Sequence, residues 1–120
     1  MVCEEIFSLV SSNIYPDWLR KESCLRLLKH CCVNALYNLA SHSYYPDWLR
    51  AMAVECLGVL AKLPEDVEAF EVTIYGTHIL IKGGSLSFSK VKKQAAKKLL
   101  DLAYSSAYPD WLRKKAIRAI

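Results

Sequence analysis

A chain of 120 residues has room for one compact domain or a short repeat array, and a hydrophobic fraction of 53% supports a buried core, which excludes intrinsic disorder. No apolar run approaches the roughly 18 residues that cross a bilayer, and Glu4 and Glu5 interrupt the start before the apolar stretch of a secretory signal. The net charge of +4 is unevenly placed: residues 1–88 hold 7 basic and 10 acidic side chains, residues 89–120 hold 9 and 2, a split that concerns partners more than fold.

In chain order the first marked feature is the string Tyr-Pro-Asp-Trp-Leu-Arg at 15–20, which returns unchanged at 45–50 and 108–113. A catalytic group is needed once, so three verbatim copies indicate architecture. Each copy follows an apolar pair (Leu9-Val10, Leu39-Ala40, Leu102-Ala103) and a short serine-containing spacer. The unit is therefore a helix end, a tight turn and a new helix. Proline has the φ of a helix start and no N–H to leave unpaired there. It also drives the preceding tyrosine out of the α region. Asp17, Asp47 and Asp110 then bring a carboxylate to the first turn, where the helix dipole favours it.

Between the first two copies no Gly or Pro interrupts 16–40, so one long helix and two shorter ones both fit. After the second copy, Leu49, Ala53, Cys56, Leu57 and Leu60 form one helical stripe, and Trp48, Met52 and Val59 form another beside it. A helix apolar over so much of its circumference is expected to lie between neighbours.

The residues Leu49-Arg50-Ala51-Met52-Ala53-Val54-Glu55-Cys56-Leu57-Gly58 resemble the V-R-x-x-A-A-x-A-L-G core of HEAT-like repeats, the type also found in phycobilisome lyases. Pro46-Asp47-Trp48 is similar to the D-P-x-W lead-in of that family, one residue shorter. The resemblance covers about half the chain. It implies a mainly α fold, a short α-α superhelix of paired helices over 1–120. It also implies that Asp17/Arg20, Asp47/Arg50 and Asp110/Arg113 tie adjacent units together. Trp and Leu of each string are expected to be buried.

The copies are 30 and then 63 residues apart, so the second unit carries an insertion over about 61–93. A further helix over 64–82 is one account. A β-hairpin within about 70–89 is preferred: strands 77–82 and 85–90 would flank Gly83-Gly84, a two-residue turn suited to positive φ. Ile79, Ile81, Leu86 and Phe88 would then share one face, and Val72, Ile74 and Tyr75 would add a third strand. That apolar face either covers the neighbouring helices or meets a partner chain. Beyond it, Val91, Ala95, Leu99 and Leu102 make a helical stripe.

The five cysteines are odd in number and lack C-x-x-C spacing, so they are read as reduced thiols of a cytoplasmic protein. No nucleotide loop, metal spacing or single-copy catalytic constellation is present, and no cofactor or small-molecule substrate is indicated. The basic residues Lys90, Lys92, Lys93, Lys97, Lys98, Arg113, Lys114, Lys115 and Arg118 form the one strong electrostatic feature. The expected activity is that of a non-enzymatic scaffold whose partner is another protein or a second copy. Nucleic-acid binding through the basic third is the alternative.

Overall fold

The computed structural model describes residues 2–65 and 67–120, with residues 84–87 described by their backbone alone. Along the chain run α1 (Val2–Ser11), α2 (Asp17–Lys29), α3 (Val33–Ser41), α4 (Asp47–Ala61), β1 (Ala69–Ile74), β2 (Thr77–Lys82), α5 (Gly84–Tyr104) and α6 (Asp110–Ala119). The fold is mainly helical with one small antiparallel sheet.

The three strings build three like corners. Pro16, Pro46 and Pro109 sit just before α2, α4 and α6 in the extended region, with φ of −67°, −65° and −66°. Each proline carbonyl accepts the first helical N–H bonds, as from Arg20, Arg50 and Arg113 at 3.1 Å. The arginine then reaches back. Arg20 Nε donates to the Val10 carbonyl at 2.8 Å, Arg50 Nε to Ala40 at 3.0 Å and Arg113 Nε to Ala103 at 3.0 Å. A helix leaves its last carbonyls unpaired, so each arginine closes its own corner.

Successive corners are then joined through the tryptophans. The Arg20 guanidinium lies 5.7 Å from the Trp48 ring centre with Lys21 Nζ at 5.3 Å, and Arg50 lies 5.6 Å from Trp111. This corrects two expectations. The aspartates do not carry the link between units; among the described residues only Asp110 approaches an arginine, its own Arg113, at 3.9 Å. The tryptophans are not fully buried either: Trp18 is 66% and Trp111 36% exposed and Trp48 is half-buried against the core, whereas Leu49 and Leu112 are fully buried and Leu19 half-buried. A flat ring laid over a cation that must keep one edge wet belongs at the rim of the core.

The helices form two layers, with α1, α3 and α5 in one and α2, α4 and α6 in the other, each packed on its neighbour. The span 16–40 holds two helices, broken where Cys31 adopts φ 57°. The interior helix α4 contacts α2, α3, α5 and α6, as its wide apolar girth requires. Its Gly58 meets α6 closely, since a Cβ there would come within 3.1 Å of the Ala119 Cβ.

The insertion contains a hairpin, but one strand earlier than expected. β1 pairs with β2 in the register Phe70↔Ile81 and Val72↔Ile79, turning at Tyr75-Gly76 with φ of 51° and 73°. The expected strand over 85–90 is the first part of α5, which begins at Gly84, while Gly83 closes the ladder through its N–H to the Glu68 carbonyl at 3.2 Å. The helical spacing Phe88, Ala95, Leu99 and Leu102, all fully buried, prevails over the local Gly-Gly turn signal because it buries a long stripe. The hairpin packs on α2 through β2, and Ile74 lines a groove with Glu55 and Val59 of α4.

The cysteines are also not all reduced. Cys3 in α1 and Cys32 before α3 form a disulfide, while Cys24, Cys31 and Cys56 are free. Packing of α1 on α3 brings the pair together, a contact that spacing along the chain does not reveal.

Arg50→Ala should cost roughly 2–4 kcal/mol, because a buried charged donor leaves the Ala40 carbonyl unpaired, and Arg113→Ala should cost less, its side chain being 36% exposed. Urea unfolding measures both; equal losses would contradict the corner as described. Reduction of the Cys3–Cys32 bridge, which closes a loop of 29 residues, should lower stability by roughly 3–4 kcal/mol. Cys3→Ser should show the same loss without reductant, and an unchanged denaturation midpoint in both would remove the bridge from the account.

Candidate interaction surfaces

The basic third does not stand free as one patch. Lys115 Nζ donates to Glu55 Oε1 at 2.7 Å, Lys92 lies 3.7 Å from Glu65, Lys98 sits 4.5 Å from the Tyr37 ring centre, and Arg113 is held in its corner. Lys90, Lys93 and Lys97 remain exposed along one side of α5, and Lys114 and Arg118 are exposed on α6. The cationic residues that face water are thus divided between two helices. Such a surface can hold phosphates or carboxylates, with the salt dependence of any lysine cluster.

The apolar face of the insertion is turned inward. Ile79 is 6% exposed and Ile81 and Phe88 are fully buried, so these residues cover the helices beneath them and offer no surface to a partner chain. The side chain of Leu86 lies outside the described residues. The outer face of the hairpin is polar, with His78 Nδ1 3.0 Å from Thr73 Oγ1 and 3.5 Å from Glu71.

A cleft of about 420 Å³ opens beside the disulfide, lined among others by Cys3, Phe7, Cys31, Asn38 and Gln94. Burial pushes the Cys31 thiol up, away from the thiolate that nucleophilic chemistry needs. In the core, Cys56 is raised well above an ordinary thiol by its hydrogen bond with Cys24 and by burial. The three histidines lie apart: His42 Nδ1 meets the Asn38 carbonyl at 2.8 Å at the end of α3, His78 lies on the hairpin and His30 follows α2. Among the described residues no group of three or more His, Cys, Asp or Glu side chains is placed to hold a metal ion. None of their helices is long and apolar enough to cross a membrane.

No protein-family model, curated protein or solved structure matches the chain.

Three large apolar side chains near the corners are exposed, a feature that helical periodicity does not mark. Ile14 and Tyr44 occupy the same position in the first two corners, just before the string, and are 80% and 75% exposed. Tyr104, just past the last buried turn of α5, is 74% exposed. Ile14 and Tyr44 directly precede a tyrosine-proline turn, where a side chain has no helix to rest on, and the third corner has Ala107 at that position.

A polar network ties α6 and the hairpin turn to α4. Burial alone would raise the Glu55 carboxyl, but hydrogen bonds from Lys115 and Tyr75 outweigh it and hold the group below the ordinary glutamate value. Tyr75 is pushed up by burial and then by the adjacent Glu55. Between α3 and the third corner, the Tyr37 and Tyr108 hydroxyls lie 3.2 Å apart, and that hydrogen bond with some burial raises Tyr37 to about 12.

Because the folded Glu55 value is lowered, its stabilising effect is present above the unfolded glutamate value. It is lost as pH falls through the folded one. Glu55→Gln should therefore lower stability at neutral pH, by about 1 kcal/mol for a partly exposed pair. Below the folded value wild type and variant should converge. Urea titrations at neutral and acid pH read this, and a difference that persists at acid pH would contradict the assignment.

Proposed function

We propose that this chain is a short HEAT-like α-solenoid that acts as a non-enzymatic scaffold and binds another protein. The three-fold repetition of the arginine corner supports this reading, because a string that builds each corner in the same way serves construction and leaves function to the surfaces. The observation that carries the partner class is the exposure of Ile14 and Tyr44 at the first two corners, with Tyr104 exposed near the third. Ile14 and Tyr44 occupy matching positions of the first two units, and exposed apolar and aromatic side chains of this kind are the composition of a protein interface core, where tyrosine is enriched and lysine depleted.

A second reading, nucleic-acid binding, is favoured by one observation, the exposed row Lys90, Lys93 and Lys97 on α5. It predicts salt-dependent, sequence-independent affinity. The cytoplasmic placement expected from the cysteine pattern requires Cys3 and Cys32 to be mostly reduced in the cell. Thiol labelling of protein taken directly from cells distinguishes the two states.

A photo-crosslinking side chain at position 44, introduced in the producing cells, should trap a discrete protein, and the same group at position 97 should trap none. Nucleic acid captured at position 97, together with no protein at 44, would replace the first reading by the second. Adducts at neither position would contradict both.

A further inference from the structure

The two internal junctions show which residues a junction covers, and the first and third units present the counterparts of those residues uncovered. On the forward side of a unit, the arginine and the residue four positions after it are buried: Arg20 and Cys24 at the first junction, Arg50 and Val54 at the second, all 5% exposed or less. Their counterparts in the third unit are Arg113 and Ile117. The Arg113 side chain is 36% exposed and Ile117 is 51% exposed, beside a surface groove of about 440 Å³ that also involves Tyr104 and Lys114. On the receiving side, the leucines Leu36, Leu39 and Leu49 are fully buried at the first junction, as are Leu99, Leu102 and Leu112 at the second. Their counterparts in the first unit, Ile6, Leu9 and Leu19, are only half-buried, and Trp18 is 66% exposed.

The charges fit as well. In the first junction Trp48 faces two cations, Arg20 and Lys21; Arg113 and Lys114 offer that same pair at the far end. A second pair of positions meets across each junction. At the first it is Leu25 with Met52, which line one pocket, and at the second it is Glu55 with Lys115 at 2.7 Å. The corresponding residues of a junction between the third unit and the first are Arg118 and Glu22, both exposed and of opposite sign.

We propose that copies of this chain associate head to tail, Trp18 of one copy stacking on Arg113 and Lys114 of the next while Glu22 pairs with Arg118 and Ile117 is covered. The contact is heterologous, so each copy keeps one free head and one free tail and the assembly grows beyond a dimer. It repeats the internal junction and needs no rearrangement of either copy. Association of this kind does not use Ile14 or Tyr44, so crosslinking at position 44 reads another partner separately, whereas Tyr104 lines the groove beside Ile117 and belongs to this contact.

Sedimentation velocity over a range of concentrations tests the proposal with the full chain. The wild-type mass should climb past the dimer, and Trp18→Ala, which disables the head, and Arg118→Glu, which disables the tail, should each stay monomeric. Mixed in equal amounts, the two variants still own one intact head and one intact tail, so the mass should double and stop. Glu22→Arg combined with Arg118→Glu in one chain reverses the pair and should restore growth. Lys114→Glu is a second tail variant should Arg118→Glu fail to give a native circular dichroism spectrum. A wild-type monomer at every concentration would overturn the proposal and leave the end faces to other occupants. Variants that still dimerise alone, or a mixture that stays monomeric, would overturn it too.

Discussion

The structure depends on one hydrogen bond made three times, from an arginine Nε to the carbonyl ten residues before it. That single contact does two things. It pairs a carbonyl that the preceding helix cannot satisfy, and it fixes the angle at which the next helix leaves the corner. With the guanidinium so held, it lies over the tryptophan ring of the following unit. Corner and stack are thus set by the same side chain. A lysine at that position would lose the planar fork that allows both contacts at once.

The insertion serves the same frame. By leaving the second unit after α4 and returning to start α5, the hairpin lays Phe70, Val72 and Ile74 with Ile79 and Ile81 against the core, with β2 on α2. A two-stranded sheet is marginal on its own; here the helices it covers stabilise it. Its return to the same edge keeps α5 in the layer of α1 and α3, so the third corner repeats the first two despite the longer spacing.

Much of this was legible in the chain, and the failures have physical causes. The corner, the two helical layers and the apolar girth of α4 follow from the string and from helical periodicity, because both are local signals repeated several times. The hairpin was placed correctly on strand 77–82 but turned the wrong way. Tyr75-Gly76 is a weak turn signal beside Gly83-Gly84, and only the buried stripe from Phe88 to Leu102 shows that the latter pair starts a helix. The break between α2 and α3 left no mark, since it rests on Cys31 at φ 57° without Gly or Pro. The disulfide and the tryptophan rings depend on which helices touch, which is information that sequence spacing does not hold. Among the surfaces, the basic residues were visible as a run, but the internal partners Glu55, Glu65 and Tyr37 that occupy three of them come from other units.

The most direct test of the account is a double-mutant cycle on Arg50 and Trp111, with unfolding free energies measured for Arg50→Met, Trp111→Leu and the pair. If the guanidinium that closes one corner also carries the next unit, the two changes are coupled by roughly 0.5–2 kcal/mol, the range of a cation–π contact at a partly desolvated site. Strictly additive losses would mean that the ring and the cation are neighbours without a shared role, and the stacking account would fail.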